Sequence, residues 1–174
     1  MNGILLQSKL TTKLKKEEIQ SICRLKDIHW KHGFKSQIKW FEANVKEKDI
    51  HNLAYLKGNL VGYILLRKKI FFKDKKKYLY LYFDTLVVSK KYRKLNIGNN
   101  LLNLTNKVIK KSKLHSMLIC KKKIVPFYKK YKWREITQKK TKILDHKYSK
   151  SLSMMCFNRK QNFLKNNIKY YIFS

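Results

Sequence analysis

Changes in the spacing of apolar residues divide the chain into elements. Ile4 to Leu10 reads as a first strand. Thr11 or Thr12 is placed to cap a helix running to about Trp30. Its Ile19, Ile22, Cys23 and Leu25 fall at three- and four-residue spacings, and Glu17 and Glu18 suit its first turn. A second helix, roughly Ser36 to Lys46, puts Ile38, Phe41 and Val45 on one stripe. Leu53 to Leu56 and Val61 to Phe72 then read as the strands of a hairpin turning at Lys57-Gly58-Asn59. Beyond a basic turn, Lys73 to Lys77, lies the strongest strand signal, Tyr78 to Ser89, rich in aromatic and β-branched residues.

Helical spacing returns at Ile97, Leu101, Leu102, Leu104 and Val108, predicting a helix from Ile97 to Lys113. Met117 to Cys120 reads as a short buried strand and Ile124 to Tyr131 as a short helix. Two more strands are expected, around Lys142 to Leu144 and Ser151 to Phe157, whereas Asn158 to Ser174 has no clear period. With no internal repeat and no Gly/Ser/Pro linker, this order predicts one α/β (or α+β) domain over 1–157, three layers around a mixed sheet, and a basic tail over 158–174.

Composition narrows the setting. The chain has 174 residues, 44% of them apolar and 13% aromatic, which excludes a disordered polyelectrolyte despite the charge. Lys and Arg number 43 against 10 Asp and Glu, a formal net charge of +33. Such a field attracts phosphates, nucleic acid and anionic surfaces without selecting among them. Heavy use of Lys, Asn and Ile with 5 Gly and 1 Pro also fits an AT-rich coding sequence whose lysines are solvated. Cys23, Cys120 and Cys156 are far apart and form no C-x-x-C pair, so neither a zinc site nor a disulfide framework is expected. No opening segment resembles a signal peptide, and no apolar run approaches the ~20 residues that span a bilayer. A cytoplasmic location is the expectation.

The most informative stretch is Leu86-Val87-Val88-Ser89-Lys90-Lys91-Tyr92-Arg93-Lys94-Leu95-Asn96-Ile97-Gly98-Asn99. A strong strand runs into a short basic loop that opens a helix. The first N–H groups of a helix lack internal partners and lie at the positive end of its dipole, which suits a phosphate. This stretch resembles the central motif of the GNAT acetyltransferase superfamily, Arg/Gln-x-x-Gly-x-Gly/Ala after a strand ending in a Leu-x-Val-like triplet. Here it is Arg93-x-x-Asn96-x-Gly98 after Leu86-Val87-Val88. Asn96 replaces the family's first glycine, and Asn is the other residue that best tolerates positive φ. The resemblance covers about Tyr78 to Trp133 and implies a GNAT-like fold with a mixed, mostly antiparallel central sheet flanked by helices. It further implies an acetyl-CoA co-substrate, with Leu86, Val87 and Val88 along the pantetheine and Arg93, Lys94, Leu95, Asn96, Ile97, Gly98 and Asn99 around the pyrophosphate, and no metal.

Two further residues take roles from the same resemblance. Val125-Pro126-Phe127-Tyr128-Lys129-Lys130-Tyr131-Lys132-Trp133 is similar to the family's Phe-Tyr-x-x-x-Gly-Phe segment, with Lys132 in place of the glycine and Lys121 where an asparagine often stands. Tyr128 then falls where a phenol protonates the departing CoA thiolate. Asp84, nine residues before Arg93 and in mid-strand, is expected to attract the acceptor amine and take its proton. Without the family context, Tyr128 reads as core packing and Asp84 as a carboxylate neutralised by lysine. His51, His115 and His146 read as structural.

The acceptor is expected to be a primary amine of a small molecule or peptide. The scarcity of acidic residues favours an anionic or zwitterionic one, such as an amino sugar on a nucleotide. Two other readings stay open: a basic nucleic-acid- or ribosome-associated protein on a degenerate GNAT scaffold, and a CoA-binding module without catalysis. Monomer and homodimer are both open.

Overall fold

The first strand, β1 (Leu5–Leu10), is followed by a 3-10 turn at Thr11–Lys13 and only then by α1 (Lys16–Trp30). The structure, a computed structural model, describes residues 3–73, 76–136, 141–143, 152–157 and 171–173. Neither threonine caps α1. Thr11 Oγ1 instead donates to the Lys46 carbonyl at 2.6 Å and meets His51 Nε2 at 2.9 Å. The helix is opened by Glu18, whose Oε2 accepts the Lys15 N–H at 2.9 Å, one half of a capping box. Helix α2 (Phe34–Asn44) begins two residues before the expected start, after Gly33 at φ 85.

Strands β2 (Ile50–Leu56), β3 (Asn59–Lys73) and β4 (Lys76–Val88) come next. Lys57 and Gly58 turn β2 into β3 at φ 49 and 77, and positive φ at both positions matches the right-handed twist of a hairpin. Helix α3 (Ile97–Ser112) lies close to its expected bounds. After it come β5 (His115–Lys121), α4 (Val125–Lys129), β6 (Arg134–Ile136), β7 (Thr141–Ile143), β8 (Leu152–Phe157) and β9 (Tyr171–Phe173). Strand order is β1-β2-β3-β4-β5-β8-β6, with β9 paired to β3 and β7. The pairings β4–β5 and β7–β9 are parallel, and β1–β2, β2–β3, β3–β9, β5–β8 and β6–β8 are antiparallel. The sheet is thus mixed and mostly antiparallel.

The sequence reading missed β6 and β9, both of three residues. The expected tail, 158–174, lies outside the described residues except for β9. His146, Leu144 and part of the basic turn after Lys73 also lie outside them. Among the described residues no helix is long and apolar enough to cross a membrane.

Contacts group the chain into two compact units, Met1–Arg67 with Asp84–Thr105, and Lys68–Phe83 with Asn106–Ser174. In the first, Ile22, Cys23 and Leu25 of α1 and Phe41 of α2 form a buried cluster with Leu53, Tyr63, Leu65 and Val87 of the strands. Removing such side chains from water supplies most of the folding drive. Fully buried Ile97 and Leu101 bring α3 onto Gly62 of β3. A Cβ built at Gly62 would lie 2.7 Å from Ile97 Cγ2 and 2.8 Å from Leu101 Cδ1. Gly62→Ala is therefore expected to destabilise by about 1–3 kcal/mol through overpacking, read from the urea midpoint. An unchanged midpoint would mean that α3 shifts without resistance.

In the second unit Trp133, 1% exposed, anchors an aromatic core. Its ring centroid lies 5.6 Å from Phe83 and 5.5 Å from Phe157, and its Nε1 donates to Asn106 Oδ1 at 3.1 Å. Asn106 Nδ2 in turn donates to the Tyr131 carbonyl at 3.0 Å. Lys132, at the position of the family's glycine, takes φ 66. That left-handed turn is the reason a glycine suits the site, since a side chain there carries about 1–2 kcal/mol of steric cost.

Candidate active site

In the first unit, the run from β4 into α3 has the form a phosphate needs. The register of β4 with β5 covers Tyr80 to Tyr82, so residues 84–88 continue along that edge without a strand paired to it among the described residues. The chain then passes through a 3-10 turn, Lys90–Leu95, tied back by Ser89 N–H to the Val61 carbonyl at 2.9 Å. Asn96 takes the left-handed conformation, φ 55 and ψ 17. The special backbone conformation of the motif thus falls on Asn96. Gly98 has no positive φ and sits in the first turn of α3.

The first intrahelical bond of α3 runs from Asn100 N–H to the Asn96 carbonyl, 3.0 Å. The amides of Ile97, Gly98 and Asn99 precede it and have no helical partner. Asn96 Oδ1 accepts Asn99 Nδ2 at 3.2 Å, which holds the Asn96 side chain against the first turn. Lys90, Lys91, Arg93 and Lys94 are exposed around the turn. Arg93 is tethered by long contacts of 3.5 Å to the Val88 carbonyl and to His29 Nδ1. Burial, then Arg93 and Lys90, push the His29 pKa down.

Asp84 lies in the same unit, four residues before the end of β4. Arg67 donates Nη1 to its Oδ2 at 3.0 Å and Nη2 to the Asn44 carbonyl at 2.8 Å. The Asp84 Oδ1 carries no hydrogen bond among the described residues. The Arg67 carbon Cζ stands 5.6 Å from the Trp40 ring centroid, and Lys26 Nζ stands 3.6 Å from it. Sequence reasoning missed this cluster. Its one signal was Lys26 at the position where the Ile19, Ile22, Cys23 stripe calls for an apolar residue.

Tyr128 belongs to the second unit, on α4, where Pro126 sits in the first turn. Its ring centroid lies 5.9 Å from Phe83, 5.3 Å from Phe127 and 6.0 Å from Trp133. The residue is 6% exposed, and its hydroxyl makes no hydrogen bond among the described residues. Burial, with the Cys120 thiol nearby, raises the phenol pKa, so the group keeps its proton at neutral pH.

His51 is a buried structural residue of the first unit. Its Nδ1 meets the Tyr63 hydroxyl at 2.8 Å and its ring stacks between Phe41 and Tyr63. Burial lowers its pKa to about 4, with Glu18 opposing. A base that charges more readily unfolded than folded confers stability in full above its unfolded pKa of about 6.5, and that stability is lost as pH falls toward the folded value. Unfolding free energy is expected to drop by about 2 kcal/mol between pH 7.5 and 5. Comparing urea denaturation of wild type and His51→Gln isolates this contribution from that of His29. Equal pH slopes would show that His51 is not buried neutral.

Comparison with known proteins agrees with this architecture. The acetyltransferase (GNAT) domain family matches residues 11–152. Among solved structures the chain is similar to Escherichia coli ElaA, with 13% identity, 88% of this chain and 99% of that one covered, and a TM-score of 0.67. It is also similar to the GNAT family N-acetyltransferase YhbS of Escherichia coli, solved in complex with CoA, with 11% identity, 98% and 89% covered, and a TM-score of 0.71. Naa50 of Arabidopsis thaliana, solved with the bisubstrate analogue CoA-Ac-MVNAL, gives 18% identity, 87% and 96% covered, and 0.56. At such identities the likeness is one of fold. No curated protein matches. The family match spans most of the chain and includes both the strand–turn–helix at Asn96 and the Tyr128 segment, so the chain belongs to the GNAT acetyltransferase family and is an acyltransferase.

Proposed function

We propose that this protein is a cytoplasmic N-acetyltransferase that passes an acetyl group directly from acetyl-CoA to a primary amine of a small molecule or peptide, both substrates being bound together. The domain of residues 1–157 carries the activity, and of the basic tail, 158–174, the strand Tyr171–Phe173 pairs with β3 and β7. The observation that carries the reading is the turn at Asn96, which delivers three helix amides without a helical partner to the end of β4, whose residues 84–88 have no strand paired on the β5 side among the described residues. The amides of Ile97, Gly98 and Asn99, with Leu95 and Asn96 shaping the turn and Arg93 and Lys94 at its rim, hold the pyrophosphate. The backbone of Leu86, Val87 and Val88 pairs with pantetheine as an added strand would. Acetyl-CoA supplies an activated acyl group on a thiol leaving group.

A strand N–H beside the thioester carbonyl stabilises the oxyanion formed on attack. Asp84 attracts the acceptor ammonium and takes its proton, through Oδ1 or through water, while Arg67 fixes the carboxylate by Oδ2. Tyr128 protonates the sulfur as it leaves.

Acetyl-CoA and CoA are both expected to raise the melting temperature, because most contacts go to pantetheine and phosphates. At ~100 times the dissociation constant the gain is about 2.7 kcal/mol. No shift with millimolar cofactor would overturn the reading.

A further inference from the structure

Lysines that merely enrich the surface stay in water, where their charge is solvated at no expense. Lys26 does not. It continues the Ile19, Ile22, Cys23 stripe of α1 and is 6% exposed. Among the described residues it makes no hydrogen bond and no ion pair. Its one close partner is the Trp40 ring, 3.6 Å from Nζ. A cation–π contact offsets only part of what desolvating an ammonium costs. Burial lowers its pKa, with Asp84 opposing and Arg67 adding to the effect.

The charges in this cluster do not balance. Arg67 and Asp84, with side chains 14% and 17% exposed, form one pair. Lys26 adds a second cation with no second anion. Asp49, a buried carboxylate of this unit, accepts the Lys46 N–H at 2.9 Å and bears on Tyr63, not on Lys26. Burial raises the Cys23 thiol to about 11, so it stays neutral. Burial also holds the Tyr63 phenol well above its ordinary value, and its hydroxyl is engaged by His51. Glu42 of α2 is exposed. Among the described residues the cluster thus holds two cations and one anion, and the Oδ1 of that anion carries no hydrogen bond.

We infer that the acceptor is a zwitterionic amine, with Lys26 receiving its carboxylate while Asp84 faces its ammonium. This rests on the acceptor lying beside Asp84, as proposed above. A free amino acid and a peptide whose amine and carboxylate lie close together present the same chemistry. Arg67 holds Asp84 in place and sets the sign of the surrounding field.

The test uses N-acetylglycine as a carboxylate probe and N-acetylglycinamide as its neutral counterpart, titrated into the intact protein. Trp40 fluorescence, assigned by its loss in Trp40→Phe, reports on the Lys26 ammonium. N-acetylglycine is expected to give a saturable change and the amide none, with Lys26→Met weakening the carboxylate at least tenfold and Lys26→Arg retaining most of the affinity. Lys26→Gln serves if the methionine variant does not fold. Supplying alanine and alaninamide as acceptors should give a preference for the acid that falls at least tenfold in Lys26→Met. The inference is overturned if the carboxylate does not saturate, if the amide binds equally, or if the variants bind the carboxylate as wild type does. Acetyl-CoA stabilisation, followed on the same samples, separates the two failures: a normal shift without carboxylate binding overturns the acceptor assignment alone.

Discussion

Gly98→Val is expected to lower acetyl-CoA affinity by about a hundredfold or more while leaving the protein folded. The fold itself makes little demand for glycine at this position. Gly98 keeps a φ that any residue can adopt, and a Cβ there would meet only Val88 Cγ2, at an ordinary 3.8 Å. Helix propensity favours the replacement by a few tenths of a kcal/mol, so the melting temperature should hold or rise slightly. The need for glycine comes from the ligand. A pyrophosphate bonded to the Gly98 and Asn99 amides must approach the backbone closely, and an isopropyl group keeps it away. Each hydrogen bond to a charged group is worth about 1.5–3 kcal/mol, so losing two gives the stated factor. Asn96→Gly is the converse, since glycine supplies the positive φ without a side chain, and its affinity should match or exceed wild type. Calorimetric titration checks both. Equal affinity of wild type and Gly98→Val would remove the pyrophosphate from this turn.

Tyr128→Phe should reduce turnover by about 10²-fold with little change in acceptor KM, the low end of the 10²–10⁴ range for general acids because a thiolate leaves readily. Its three aromatic neighbours contact the ring, which phenylalanine preserves. The hydroxyl has no hydrogen bond among the described residues, so its removal leaves no orphaned partner. Melting temperature and cofactor affinity should stay at wild-type values, and the loss should appear in kcat alone. Stopped-flow acetylation, with chemistry verified as rate-limiting, makes the measurement. Unchanged turnover would return Tyr128 to a packing role.

Much of the fold was legible because its long elements carry an undiluted period. Ile97, Leu101 and Leu102 placed α3 nearly to the residue, and the density of aromatic and β-branched residues marked β4. Short elements were not legible. Three residues at Arg134–Ile136 or Tyr171–Phe173 cannot establish an alternation, and their strand character comes from the partner they reach. The start of α1 was misplaced because Thr11 found a stronger partner in the distant Lys46 and His51 than in the nearby helix, which no local pattern records. At the candidate site the sequence supplied the turn and its asparagine. It did not supply the pairing of Asp84 with Arg67, 17 residues apart, nor the ring that Lys26 covers. Charged residues on different elements meet only through the register that brings those elements together.

The position of β8 has a consequence for the order in which this protein can form as it is made. Strands β1, β2 and β3 pair in chain order, β1 with β2 across the two helices and β2 with β3 as a hairpin, so these pairings can form once Leu66 has emerged. Strand β8 lies between β5 and β6, although both precede it in the chain. Until it arrives, β5 lacks its antiparallel partner and β6 has none described. Strand β9 joins Phe71 to Phe173 later still. Such long-range closures slow folding and leave strand edges open in the interval. The second unit must therefore mature late, with its apolar strands waiting on residues about to be synthesised.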